Sequence, residues 1–168
     1  MNNLSEEVFN KELKERIEQS LTKQELKPMP KSAFKSFDEF QGLFDEIKGN
    51  KGVIQTPYKD VEVDIRYAFI HFKKNTYNTN RDNIKGGFFE TFKNPLFVVK
   101  QKREGSTKPS VYFYKPFYDE NKKLLNLFGI SVDNKGKLNF TTYYLDEVGN
   151  RLSSILNDKN LKIRYVKE

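Results

Sequence analysis

The chain has no cysteine and a single histidine, His71. The first absence removes disulfides, thiolate metal sites and cysteine nucleophiles, and leaves the redox compartment open because a cysteine-free chain fits either. A lone histidine removes multi-histidine metal centres. No apolar run approaches the ~20 residues of a membrane helix, and the acidic amphipathic N-terminus lacks the apolar centre of a signal peptide. The chain therefore reads as soluble, with no membrane partner and a cytoplasmic location expected. There is also no P-loop, no GxGxxG after a strand, no GxSxG elbow and no metal-ligand cluster. Nucleotide hydrolysis, hydride transfer and zinc chemistry lose their support, and no metal or cofactor is expected.

What the chain does have is aromatic rings and positive charge. Its 168 residues suit one ordinary domain, and 15 Phe and 9 Tyr against a 36% hydrophobic fraction predict a core dominated by rings. Net charge is +7 and unevenly spread: residues 1–50 hold 8 basic and 10 acidic side chains, leaving 22 and 13 in residues 51–168. The later two-thirds, at +9 by that difference, is the candidate working part. A positive surface draws polyphosphates by counterion release without reading their sequence. RNA is the partner this balance favours, and a generally lysine-rich solvated surface is the plainer alternative.

Asn3 and Glu6 form a capping box ahead of Leu4, Val8, Leu13, Ile17 and Leu21, whose spacing predicts a helix up to Pro28. Ser36 and Glu39 form a second box, opening a helix that carries Phe37, Phe40, Phe44 and Ile47 and ends at Gly49. Val53–Ile54 and the alternating Val61, Val63, Ile65 and Tyr67 predict a hairpin; Ala68–Lys74 fits either strand or helix. A polar loop follows at 75–80, and Ile84, Phe88 and Phe92 mark a helix closed by Asn94-Pro95, with Gly86-Gly87 a kink or close approach. Leu96–Lys100, Val111–Phe117, Leu124–Val132 and Lys137–Leu145 predict a four-stranded antiparallel meander, followed by a helix near Glu147–Leu156 and a short strand at Leu161–Val166. The predicted class is α+β: N-terminal helices packed on a four-stranded antiparallel sheet, with a short N-terminal hairpin and a C-terminal helix. Residues 1–35 are expected to be a helix and linker, and residues 36–168 one domain.

His71 is the side chain that titrates near neutrality, so it is the natural proton carrier; a structural histidine beside Phe69, Ile70 and Phe72 is the alternative. Lys73, Lys74 and Arg81 follow closely in sequence and suit a phosphate or a developing oxyanion. Strand alternation puts Asn139, Thr141 and Tyr143 on one sheet face and Leu138 and Phe140 on the other. It also separates Val111, Phe113 and Lys115 from Tyr112 and Tyr114. An open Tyr-bearing face can stack unpaired bases, although Tyr, Thr and Phe favour strands in any case.

The order of segments, from Val53–Pro57 and Val61–Ile65 through His71, Asn75-Thr76-Tyr77, Asn80-Arg81, Gly86–Thr91, Asn94-Pro95-Leu96 and Tyr112–Pro116 to Thr141–Tyr144, resembles the phage-associated branch of the barnase, EndoU, colicin and RelE-like nuclease superfamily. The resemblance spans about residues 50–166. It implies a metal-independent endoribonuclease that cleaves RNA by attack of its own 2′-hydroxyl, delivered from a phage particle or as a toxin domain, with a cognate inhibitor or phage protein as partner. His71, Arg81, Thr141 and Tyr143 match the catalytic set it implies, and Lys115, Lys74, Asn80 and Tyr114 the substrate contacts. A second histidine, usual in barnase-like and EndoU-like relatives, is missing. A non-catalytic nucleic-acid-binding or phage-assembly module of the same fold is one alternative reading, and an inhibitor-type protein-binding module another. The nuclease reading requires His71, Arg81, Thr141 and Tyr143 to converge on an open cleft, on the sheet face away from the helix at Phe37–Ile47.

Overall fold

The computed structural model describes residues 15–16, 19, 28–30, 34–72, 75–76, 79–80, 84–102, 105–119, 121, 123–146, 149–158 and 161–167. In chain order they form α1 (Phe37–Gln41), β1 (Glu46–Lys48), β2 (Lys51–Ile54), β3 (Val61–Asp64), α2 (Ile65–His71), β4 (Asn75–Thr76), β5 (Thr79–Asn80), a 3-10 turn (Lys85–Gly87) running into α3 (Phe88–Lys93), β6 (Phe97–Gln101), β7 (Ser110–Tyr118), β8 (Leu124–Asn134), β9 (Lys137–Leu145), α4 (Asn150–Leu156) and β10 (Lys162–Val166). Of the first predicted helix only Glu15, Arg16 and Gln19 are described, and each is helical.

The class is α+β, but the sheet is not a four-stranded antiparallel meander under N-terminal helices. It has eight strands in the order β1-β2-β3-β9-β8-β7-β6-β10 and is mixed. The predicted meander, β6 to β9, is its centre. Both meander edges are then extended: β3 joins β9 in parallel, with Val61 opposite Leu138 and Glu62 opposite Asn139, and β10 joins β6 antiparallel. An unpaired edge strand exposes a row of N–H and C=O groups, and these additions satisfy them. Such pairing between distant segments leaves no local signature in sequence. β4 and β5 form a separate small hairpin, Asn75 opposite Asn80, within the predicted polar loop.

Two predicted elements are shorter than their patterns. Ser36 does cap α1, its Oγ accepting the Glu39 N–H at 3.2 Å and its hydroxyl donating to Glu39 Oε1 at 3.1 Å, yet α1 ends at Gln41. Gly49 belongs instead to the β1–β2 turn, where it has a φ of +65°. The pairing of β1 with β2 draws residues 46–48 out of the helix and leaves Ile47 exposed. Likewise the alternation through Tyr67 stops at Asp64, whose carboxylate accepts the Tyr67 N–H at 2.9 Å and caps α2. Ile65, Ala68 and Phe72 are all buried, which is helical spacing.

Strand alternation splits the core into two clusters on opposite faces. Val98, Val111, Phe113 and Leu127 meet the rings of α1 to α3, including Phe40, Phe72, Phe88 and Phe92. Phe97, Val99, Tyr112, Tyr114 and Phe128 meet Ile155 of α4 with Leu161 and Ile163. Phe34 is buried in the first cluster, and the Met29 N–H bonds to the Tyr118 carbonyl at 2.9 Å, so both residues pack against the sheet. The predicted close approach falls at Gly87: a Cβ there would meet Met29 Sδ at 2.7 Å and the Tyr143 hydroxyl at 3.0 Å.

Candidate functional site

β9 carries a bulge at Thr141: Ser131 lies opposite Phe140 and Ile130 opposite Thr142, so one residue is extra. The extra residue inverts the alternation beyond it. Tyr143 therefore joins Leu138 and Phe140 on the α1–α3 face, not the opposite face that a regular strand would give it. There its ring is fully buried, its hydroxyl donates to the Ile84 carbonyl at 2.7 Å, and burial pushes its pKa well above the ordinary tyrosine value.

The paired stretch of β3 ends opposite Asn139, and α2 runs beside the rest of β9. Tyr67 and His71, one helical turn apart on α2, meet the backbone there. The Tyr67 hydroxyl donates to the Thr141 carbonyl at 2.7 Å, and His71 Nε2 accepts the Tyr143 N–H at 3.3 Å. His71 Nε2 also lies 3.1 Å from the Thr142 hydroxyl. Accepting a backbone N–H at Nε2 places the neutral ring's proton on Nδ1. His71 is only 7% exposed and packs edge-on against Phe140. It thus supplies the sheet edge with an acceptor that a strand would otherwise provide, on the same face as the ring-bearing helices.

The other predicted residues are scattered. Thr141 donates its hydroxyl to the Ile130 carbonyl at 3.0 Å across the bulge. Lys115 Nζ donates to the Asn94 carbonyl at 2.7 Å, beyond the end of α3. Tyr114 is fully buried on the α4 face, its hydroxyl bonded to Asn126 Oδ1 at 2.6 Å, with burial raising its pKa. Tyr112 is fully buried on that face too, so neither tyrosine offers a ring for base stacking. Lys73, Lys74 and Arg81 lie outside the described residues, and Asn80 is described only as backbone in β5. The structure brings His71 beside Thr142 and Tyr143, but with both rings buried it forms no open cleft around them.

An open, charged site lies elsewhere, around the β8–β9 turn. Among the described residues, a depression of about 540 Å³ is lined by Lys59, Lys100, Lys108 and Lys135, with Asp133 as the one acid and Thr107 and Gly136 among its walls. Among the described residues no aromatic side chain lines it. Lys59 comes from the β2–β3 loop, Lys108 precedes β7, Lys100 lies one residue before the end of β6 and Lys135 sits in the turn, so four separate segments converge. The turn is a two-residue loop between the paired Asn134 and Lys137, with φ of +54° at Lys135 and +90° at Gly136. That is the type I′ pattern matching strand twist.

Asp133 is the anchor. Its Oδ1 accepts the Gly136 N–H at 2.8 Å, which fixes the turn, and its Oδ2 accepts from Lys100 Nζ at 2.8 Å. The Lys100 hydrogen bond, outweighing the penalty of burial, holds its carboxyl below the ordinary 3.8, and the charges of Lys100 and Lys59 add to the effect. Lys59, Lys108 and Lys135 are exposed and form no ion pair among the described residues. Sequence reasoning missed this site. Lysines at 59, 100, 108 and 135 are unremarkable in a lysine-rich chain, and Asp133-Asn134-Lys135-Gly136 read only as a turn.

No protein-family model, curated protein or solved structure matches this chain. Among the described residues no group of three or more His, Cys, Asp or Glu is placed to hold a metal ion, and no helix is long and apolar enough to cross a membrane.

Proposed function

We propose that this chain is a non-catalytic RNA-binding domain that grips the sugar–phosphate backbone with the lysines around the β8–β9 turn. The carrying observation is that, among the described residues, four lysines converge on one open depression with a single, already paired, carboxylate. The excess of positive charge in residues 51–168 points the same way. With no aromatic side chain among its described lining residues, the site favours an electrostatic grip that is indifferent to sequence. Three to four phosphate contacts to a single strand predict an affinity loss of about twenty- to fiftyfold between ~50 and ~200 mM salt. Filter binding of a labelled single-stranded RNA measures it. No retention at the lower salt, or retention that ignores salt, would overturn this reading.

A second reading, the metal-independent endoribonuclease implied by the family resemblance, has one observation in its favour: His71 Nε2 lies 3.1 Å from the Thr142 hydroxyl, an acid–base group beside a polar one. It requires the β9 edge to open, because His71 is engaged by the Tyr143 N–H. Incubation with RNA in chelator separates the two readings. Formation of 2′,3′-cyclic phosphate ends, abolished by His71→Gln in a variant that stays folded, would put catalysis in place of simple binding.

A further inference from the structure

The lysine depression carries more charge than an internal phosphodiester calls for. Among the described residues, four ammonium groups against the carboxylate of Asp133 leave a formal +3 within one concavity. A single internal phosphodiester brings one negative charge, so a strand matches the depression only by laying three or more phosphates across it, whereas a terminal di- or triphosphate concentrates a comparable charge in one group. The volume, about 540 Å³, is that of a small-ligand pocket and not of a long groove. Lys135 also stands in the left-handed region at φ +54°, where Asn or Gly is the usual occupant of a type I′ turn. A lysine kept there at a cost in backbone energy, beside three others, is strain located at a binding surface.

We infer that the depression receives a terminal di- or triphosphate group, carried by the 5′ end of an RNA or by a free nucleotide. Lys59, Lys108 and Lys135 supply the unpaired charge. Lys100, oriented by Asp133 at 2.8 Å, supplies a fourth ammonium fixed in place before the ligand arrives. With no aromatic side chain among its described lining residues, the site recognises the phosphates and not the base. The RNA 5′ end as source rests on the RNA-binding reading; the polyphosphate chemistry does not.

The experiment compares one RNA sequence carrying either a 5′-triphosphate or a 5′-hydroxyl, with a nucleoside triphosphate and inorganic tripolyphosphate as competitors. The 5′-triphosphorylated RNA is expected to bind about tenfold more tightly. Tripolyphosphate should displace it and shift the backbone amide resonances of Thr107, Lys135 and Gly136. A nucleoside triphosphate that binds while 5′-hydroxyl RNA is not retained at all would sustain the site and defeat the RNA reading. Equal affinity for the two RNAs, with tripolyphosphate moving none of those amides, would defeat the site and leave RNA binding standing. The combined variant Lys59→Gln, Lys108→Gln, Lys135→Asn changes only exposed side chains, so its melting temperature should be no lower than the parent's and the tenfold preference should be lost. A folded triple variant that retains the preference would overturn the assignment.

Discussion

His71 shows how much a single side chain depends on what the backbone beside it lacks. β9 continues past the paired end of β3, and its Tyr143 N–H finds an acceptor in His71 Nε2. Removing that acceptor leaves a buried donor unsatisfied. His71→Ala is therefore expected to lower unfolding free energy by about 1–3 kcal/mol, read from urea denaturation. An unchanged midpoint would mean that water replaces the ring without cost. Gly129 has a different constraint, since a Cβ there would clash with Phe92 Cζ, on a ring packed 5.0 Å from that of Phe113. Gly129→Ala is expected to destabilise by about 1–3 kcal/mol through overpacking. Thermal unfolding tests this, and a melting temperature equal to the parent's would show that α3 can shift aside.

Within elements, local signals held where they were short and chemically specific. Ser36 caps α1, and Asn94-Pro95 ends α3. Patterns were misread where an element's length is set by its neighbours: α1 gives up residues 46–48 to pair with β2, and one extra residue in β9 carries Tyr143 across the sheet. The β8–β9 turn gives a prediction with two signs. Lys135→Asn replaces a lysine in the left-handed region with a residue that tolerates it, so stability should rise by up to about 1 kcal/mol. The same change removes one of the four lysines of the depression, so RNA affinity should fall. Chemical denaturation and filter binding on one preparation measure both, and a gain in each would break the link between turn strain and binding.

Across the molecule, Asp133 ties β6, β8 and the turn together through Lys100 and Gly136. Its carboxyl is held below 3.8 in the folded chain, so the unfolded state takes up the proton first as pH falls. The stabilisation is fully present above the unfolded value and is lost as pH drops through the folded one. Melting temperature should fall between about pH 5 and pH 2, and Asp133→Asn should flatten that slope. An identical slope in the variant would show that other carboxylates govern acid unfolding. The sheet itself depends on contacts distant in sequence, notably Val61 with Leu138 and Val166 with Phe97.

Four central strands to within a residue or two, a ring-dominated core, the cap at Ser36 and the absence of cysteine chemistry were all legible in the amino-acid order. Each follows from a period, a cap or a count that lies within a few residues along the chain. Folding in three dimensions was needed to put eight strands in one mixed sheet, to turn Tyr143 toward the helices, and to set His71 at the β9 edge. It was needed as well to gather Lys59, Lys100, Lys108 and Lys135 around one depression. The cause is common to all four. Edge hydrogen bonds, a single-residue bulge and the convergence of like charges are properties of segments meeting in space, and no local pattern of side chains encodes which segments will meet.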